Sequence, residues 1–203
     1  EVTPFIVTIK QKNQTNHLGI LIDEHITWKA HTEQLCKKLS TSIFVIRRIK
    51  QISSKDAAKT AYFSLFETHL RYGIALWGGT ANCNMEKILR QQKLAIRALE
   101  GLQYQESCRE AFRKLKILTV VNLYILEVIL HAVHSRKTRN RDLHQYHTRH
   151  VLDFTLPVHH LSLTARKPSY KGAAYFNKLP ESLKNEPPKR LKKALIAWLQ
   201  ERP

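Results

Sequence analysis

The sequence predicts a mainly α-helical protein: a helical bundle with a short N-terminal β-hairpin and a basic, partly irregular C-terminal extension. Three observations carry that expectation. From Trp28 to His134, apolar residues recur at spacings of three and four, the period of one helix face. Ser, Thr and Gly punctuate the pattern at the places where helix ends favour them. Apolar–polar alternation, the mark of a strand, is confined to the first residues of the chain.

Residues Phe5 to Ile9 alternate apolar and polar, and Leu18 to Ile22 form a second short apolar run. The Asn- and Gln-rich segment between them reads as a turn, so the pair is expected to form a β-hairpin that needs another surface to lie on. From Trp28 the period changes. Leu35, Leu39, Ile43, Ile46 and Ile49 mark the inner face of a first helix. Ser53 or Ser54 caps a second helix reaching about Leu70, with Asp56 in its first turn, where a carboxylate suits the helix dipole. Tyr72 to Gly79 is an aromatic, glycine-marked connector. A third helix runs from near Asn84 to Glu100 and closes at Gly101 as a left-handed cap. Residues Glu106 to Lys116 form a fourth. A fifth, capped by Thr119, is apolar on nearly every side from Val120 to Val133 and is expected at the centre of the core. After His134 the character changes. Arg136 to Lys171 hold eight Lys and Arg against two acids, a long basic connector with an extended piece at Val151 to Leu156. A short helix is expected around Tyr170 to Leu179, and Pro188 opens a last one through Gln200.

Charge points to the partner. Thirty-four Lys and Arg against 16 Asp and Glu give a formal charge of +18. Such a surplus attracts polyanions, because neutralised phosphates release condensed counterions, so nucleic acid is the partner expected first. No membrane partner is expected. The longest apolar run, Val120 to Leu130, is interrupted by Asn122 and Glu127 and is too short to span. No secretory signal pattern opens the chain. Cys36, Cys83 and Cys108 are too few and too far apart for a disulfide framework or a Cys-x-x-Cys metal pair. These features suit reduced thiols in an intracellular protein, nuclear or cytoplasmic, with Cys36 and Cys108 placed for burial. The chain does not begin with Met, which suggests a piece of a longer protein.

The third helix is the first candidate for phosphate contact. Met85, Ile88, Gln92, Ala95, Ile96 and Leu99 fall on one side. Lys87, Arg90, Lys93 and Arg97 fall on the other, a stripe that no acid offsets, spaced to follow a phosphate backbone. On the first helix, Lys37, Lys38, Arg47 and Arg48 offer a second set, with Lys37 and Arg48 sharing a face three turns apart. An ordinary solvated surface explains that set equally well. The last helix begins with Lys189, Arg190, Lys192 and Lys193, cations at a positive helix end. In the basic connector, Tyr146 interleaves with Arg139, Arg141 and Arg149, a pattern suited to stacking on single strands or holding a backbone. His144, His147 and His150, three residues apart, raise a zinc site as an alternative, although no cysteine lies near them. Neither paired carboxylates, nor a Gly-rich phosphate loop, nor a nucleophile motif is found, so a binding module is expected rather than an enzyme.

Several segments, taken in order, resemble the end of the reverse transcriptase of non-LTR retrotransposons of the jockey type. Leu18-Gly19-Ile20, Asp23 and then Thr27-Trp28-Lys29-Ala30-His31 resemble the family's Tyr-Leu-Gly-x-x-x-Asp and Leu-x-Trp-x-x-His, with His17 where the family has Tyr. Arg71-Tyr72-Gly73 with Trp77-Gly78 resembles its Ser-Tyr-Gly and Trp-Gly element. Gln92-Lys93 and Ala95-Ile96-Arg97 resemble its Gln-Lys-x-Ala-x-Arg helix. Ser107-Cys108-Arg109, Phe112, Leu115 and Ile117-Leu118-Thr119 resemble its Cys-Arg-x-x-Phe segment and the leucines after it. His144 to Arg149 resembles its His-x-Tyr-x-Thr-Arg signature, and Phe176-Asn177, Leu179-Pro180 and Leu183-Lys184 its closing motif.

The resemblance implies a place in a polymerase. Residues 1–27 would be the last hairpin of the palm, 28–135 a thumb-like helical domain, and 136–203 a basic C-terminal extension with terminal helices. The Tyr-x-Asp-Asp strand and the fingers would lie upstream, so the chain would be non-catalytic and without a cofactor of its own, while the parent polymerase would need Mg. Its partners would be RNA, DNA or an RNA–DNA hybrid, gripped through phosphates, and the upstream palm and fingers. Two rivals stand beside this reading: a domesticated or decayed retroelement remnant serving as a helical protein-interaction module, and a metalloenzyme built on the histidine cluster.

Overall fold

A computed structural model describes residues 13–135, 137–143 and 149–203 of the chain. The chain is mainly helical, as expected, with a two-stranded antiparallel hairpin at its N-terminal side. Strand β1 (Gln14–His17) pairs with β2 (Ile20–Asp23), Gln14 opposite Asp23 and His17 opposite Ile20. The connection is Leu18-Gly19, both at positive φ (50° and 81°). That is the backbone a two-residue hairpin turn requires. The register therefore differs from the one read in the sequence. The Asn-rich segment expected as the turn supplies strand β1, while the Leu18–Ile22 run supplies the Leu18-Gly19 turn and most of β2. Asn16 gives the reason: its side-chain oxygen accepts the N–H of Gly19, three residues on, at 2.9 Å and closes the turn. Phe5 to Ile9 lie outside the described residues.

Helix α1 (Lys29–Ile52) buries Leu35, Leu39, Ile43 and Ile46 as their spacing demands, with Ile49 packed at the edge of the core. Helix α2 (Lys55–Ala61) is capped by Ser54, whose hydroxyl accepts the Ala57 N–H at 3.2 Å. It continues through a π-helical segment, Tyr62–Glu67, into α3 (Thr68–Arg71). The wide turn was not legible in the sequence. In it, Tyr62 and Phe66 are fully buried and stacked, ring centroids 5.1 Å apart. The connector that follows holds a short helix, α4 (Ile74–Trp77), entered through Gly73 at φ 62°.

Helix α5 (Asn82–Glu100) ends at Gly101 in the left-handed conformation, and α6 (Arg109–Leu115) ends at Lys116 in the same conformation. Thr119 caps α7 (Val120–His134), its hydroxyl accepting the Asn122 N–H at 3.2 Å. Helix α7 is the hub: α4, α5, α10 and α12 pack against it, which explains why its apolar residues run round the whole circumference.

The remaining elements are α8 (Asn140–Leu143), α9 (Ser162–Arg166), α10 (Pro168–Asn177), α11 (Glu181–Lys184) and α12 (Pro188–Gln200). The described residues of the basic connector are more regularly placed than its composition suggested. Arg139 bridges to Phe154, and the Asn140 N–H donates to the Asp153 carbonyl at 2.9 Å, so the extended piece folds back on the stretch after α7. Phe154 is the reason: it is buried against Phe176, ring centroids 4.7 Å apart. Helix α10 reaches α7 at Gly172, where a Cβ would lie 2.0 Å from the Val128 carbonyl oxygen. Among the described residues, no single helix is long and apolar enough to cross a membrane.

Candidate nucleic-acid interface

The side chain of Asp23 starts α1. Its two oxygens accept the Thr27 and Trp28 N–H groups, both at 2.8 Å. Burial opposes the charge on this carboxyl, but those amide bonds outweigh it and hold the group below the usual carboxylate range. The helix so anchored presents Lys37, Thr41, Phe44 and Arg48 at i, i+4, i+7 and i+11, one narrow stripe. Lys38 and Arg47 flank it. All four cations are exposed, and Phe44 between them is 64% exposed. No Asp or Glu occurs from Gln34 to Lys55, and among the described residues none of the four makes an ion pair. Arg48 reaches the Gln51 side chain at 3.3 Å. Phe44 is not singled out by the charge pattern alone. Its signal was present: an aromatic in phase with two cations, where a polar residue would cost less exposed apolar surface.

The α5 stripe looks different in three dimensions. Lys87 lies 3.9 Å from Glu33 of α1, and Arg90 lies 3.9 Å from Glu86 one turn before it. The expectation that no acid offsets this stripe is therefore corrected. Glu86 sits at helix spacing from Arg90, and Glu33 arrives because α1 packs along α5. Such long, exposed pairs hold little energy, so both cations stay free to turn to a polyanion. Lys93 is exposed. Arg97 is committed elsewhere: it donates to the carbonyls of Gln103 (3.3 Å) and Glu106 (3.0 Å) and lies over the Tyr104 ring, so it pins the loop after α5.

In the C-terminal extension, Arg139 is half-buried, its guanidinium 5.1 Å from the centroids of both Phe154 and Phe176. Burial, and then the charge of Arg141, pull its pKa below the ordinary value. Arg141 is exposed, 3.7 Å from Asp142, and Arg149 is exposed. Tyr146, His144 and His147 lie outside the described residues. His150 contacts Asp153 at 2.9 Å, and the other Asp153 oxygen accepts buried Lys184 at 2.6 Å. Among the described residues, no three His, Cys, Asp or Glu side chains gather as metal ligands. Lys189, Arg190, Lys192 and Lys193 are exposed at the start of α12.

Many of the ordered motif residues hold the fold together. Arg71 bridges Glu67 (2.7 Å) and Glu127 of α7 (3.1 Å). The Tyr72 hydroxyl donates to the Leu18 carbonyl, and the indole of buried Trp77 donates to the Tyr72 carbonyl at 2.8 Å, so hairpin and connector are joined. His31 lies buried beside Trp28 and Trp77. Asn177 accepts the Phe154 N–H at 2.8 Å and donates to its carbonyl at 2.9 Å.

Comparison with known proteins agrees with the resemblance read from the sequence. The chain is 24% identical over 143 residues to a probable RNA-directed DNA polymerase from transposon X-element of Drosophila melanogaster, covering 67% of this chain and 15% of the relative. It is 27% identical over 118 residues to a probable RNA-directed DNA polymerase from transposon BS of the same organism, covering 56% of this chain and 13% of the relative. The chain thus resembles a region of transposon reverse transcriptases and spans only a small part of their length. No family model matches the chain, and no solved structure matches it.

Proposed function

We propose that this chain is a nucleic-acid-gripping, thumb and C-terminal region of a non-LTR retrotransposon reverse transcriptase, non-catalytic by itself. The outer face of α1 carries this reading. Four exposed cations, without acid partners among the described residues, line one side of a 24-residue helix, long enough to lie along several phosphates. The two polymerase relatives supply the setting, since a polymerase must hold its template and product. In that setting Lys87, Arg90 and Lys93 extend the grip along α5, while Arg97 shapes the loop beside it. The protein partner is the palm and fingers of a parent polymerase, where the Mg²⁺ would be held, in the nucleus or cytoplasm.

The test is fluorescence-anisotropy binding to an RNA–DNA hybrid and to single-stranded RNA across a salt series. The comparison variant carries Lys37→Gln, Lys38→Gln, Arg47→Gln and Arg48→Gln. The wild type should bind with a steep salt dependence. In the variant the slope of log affinity against log salt should flatten by about 3, since each lost phosphate contact removes about 0.7–0.9. Equal slopes in the two proteins would overturn the reading. Binding insensitive to salt would favour a protein-interaction module instead.

A further inference from the structure

The C-terminal extension contains a cleft of about 420 Å³ between the end of α7, α8 and the start of α12, lined in part by Lys137, Arg139, Arg141 and Pro188. Arg139 sets its character. Its guanidinium rests on Phe154 and Phe176, and Asn177 in turn clamps the backbone of Phe154. The planar fork is thus oriented before any ligand arrives, so little side-chain freedom remains to be lost on binding. Its side chain has five N–H donors and, among the described residues, no hydrogen-bond acceptor. Around it the cleft supplies Arg141, Lys137 and the positive end of the 13-residue α12.

Two carboxylates also line the cleft, Asp142 and Glu186. Asp142 is engaged: it accepts the Arg139 backbone N–H at 2.9 Å and pairs with Arg141. Lys184, at the cleft wall, is matched by Asp153. Lys137 donates its ammonium to the Ser169 carbonyl and, among the described residues, has no acid partner. Three cations therefore stand against two carboxylates, and an oriented guanidinium without an acceptor favours a planar pair of oxygens.

We propose that this cleft binds a phosphate group, with Arg139 forking two of its oxygens and Arg141 closing on a third. The proposal rests on the nucleic-acid reading above and deepens it: the phosphate is a backbone phosphate of an RNA or DNA strand. The cleft is then a second point of hold, on elements that α1 does not supply.

The experiment uses the full chain labelled with ¹⁵N-arginine. The Arg139 Nε–H resonance, assigned with Arg139→Lys, is followed while inorganic phosphate is added against chloride at equal ionic strength. A saturable phosphate-specific shift is expected, weakened by Arg141→Gln and abolished when single-stranded RNA fills the site. Arg139→Lys keeps a cation over the rings and loses the fork. It should weaken RNA binding about tenfold, the size of one hydrogen bond to a charged group. No response beyond the chloride control would overturn the site. A phosphate response that saturating RNA leaves unchanged would overturn the strand as its source and assign the cleft to a free phosphate compound. Failure of the α1 reading is read separately. If the α1 quadruple variant binds RNA like wild type while Arg139→Lys does not, α1 is excluded and the cleft stands.

Discussion

The buried side chain of Gln92 donates to the hydroxyl of Tyr62 at 2.9 Å, tying α5 to the π-helical segment across the core. The same amide donates to the Leu118 carbonyl at 2.8 Å, and its oxygen accepts the Val120 N–H at 2.7 Å, at the first residue of α7. One side chain therefore satisfies three polar groups, on the π-helical segment, the α6–α7 connector and α7. Gln92→Leu fits the space but leaves those groups buried and unpaired, each costing about 1–3 kcal/mol. Stability should fall by roughly 3 kcal/mol in urea unfolding. A midpoint unchanged from wild type would show that the network carries no net stability.

Gly172 is where α10 and α7 come closest. An added Cβ would sit 2.0 Å from the Val128 carbonyl oxygen, a backbone atom that cannot swing aside. Gly172→Ala should therefore push the helices apart, at about 1–3 kcal/mol, despite the better helix propensity of Ala. A thermal midpoint at or above wild type would refute the close approach.

The Asp153–Lys184 pair is buried, with side chains 9% and 8% exposed. Removing one partner strands a charge, so Lys184→Met should cost about 3–5 kcal/mol. Replacing both, as Asp153→Leu with Lys184→Met, should recover a good part of that loss. A double-mutant cycle with additive losses would show that the two do not act as a pair.

His31 gives a pH dependence. Burial, and then the charge of Lys38, push its imidazole below the ordinary 6.5. The unfolded chain therefore takes up a proton that the folded chain resists. Its contribution to stability is complete above about pH 6.5 and declines as pH falls from there toward the folded value. The ring accepts the Leu21 N–H at 3.4 Å, so its protonation should loosen the hairpin first. Proton NMR of the His31 ring should show a midpoint below 6.5; a midpoint above it would contradict the buried, neutral assignment.

Phe44 tests whether the α1 face reads unpaired bases. Stacking on an aromatic is worth about 1–3 kcal/mol per base, and paired bases are less available to it. Phe44→Ala should weaken binding to single-stranded RNA by roughly tenfold and binding to the hybrid by less, with an unchanged melting temperature. Equal losses on both nucleic acids would place the phenyl against the sugar–phosphate backbone instead.

What the sequence determined by itself was local. The inner face of α1, the Ser54, Gly101 and Thr119 caps, the all-round apolar α7 and the span of α12 were each legible. Their signals lie within about one helical turn of the backbone they control. The cationic surplus was legible as well, and so was the resemblance to transposon reverse transcriptases.

Tertiary structure decided the rest. The hairpin register followed from a hydrogen bond that Asn16 makes three residues on. Glu33 met Lys87 because α1 lies along α5, while Lys37, Lys38, Arg47 and Arg48 were left without an acid partner among the described residues. Arg139 changed from one basic residue among many into an oriented guanidinium because Phe154, 15 positions away, is buried against Phe176. Which cations remain open to a ligand depends on which faces meet. That is set by the burial of distant apolar side chains, whose energy is summed over the whole core and written in no single stretch of chain.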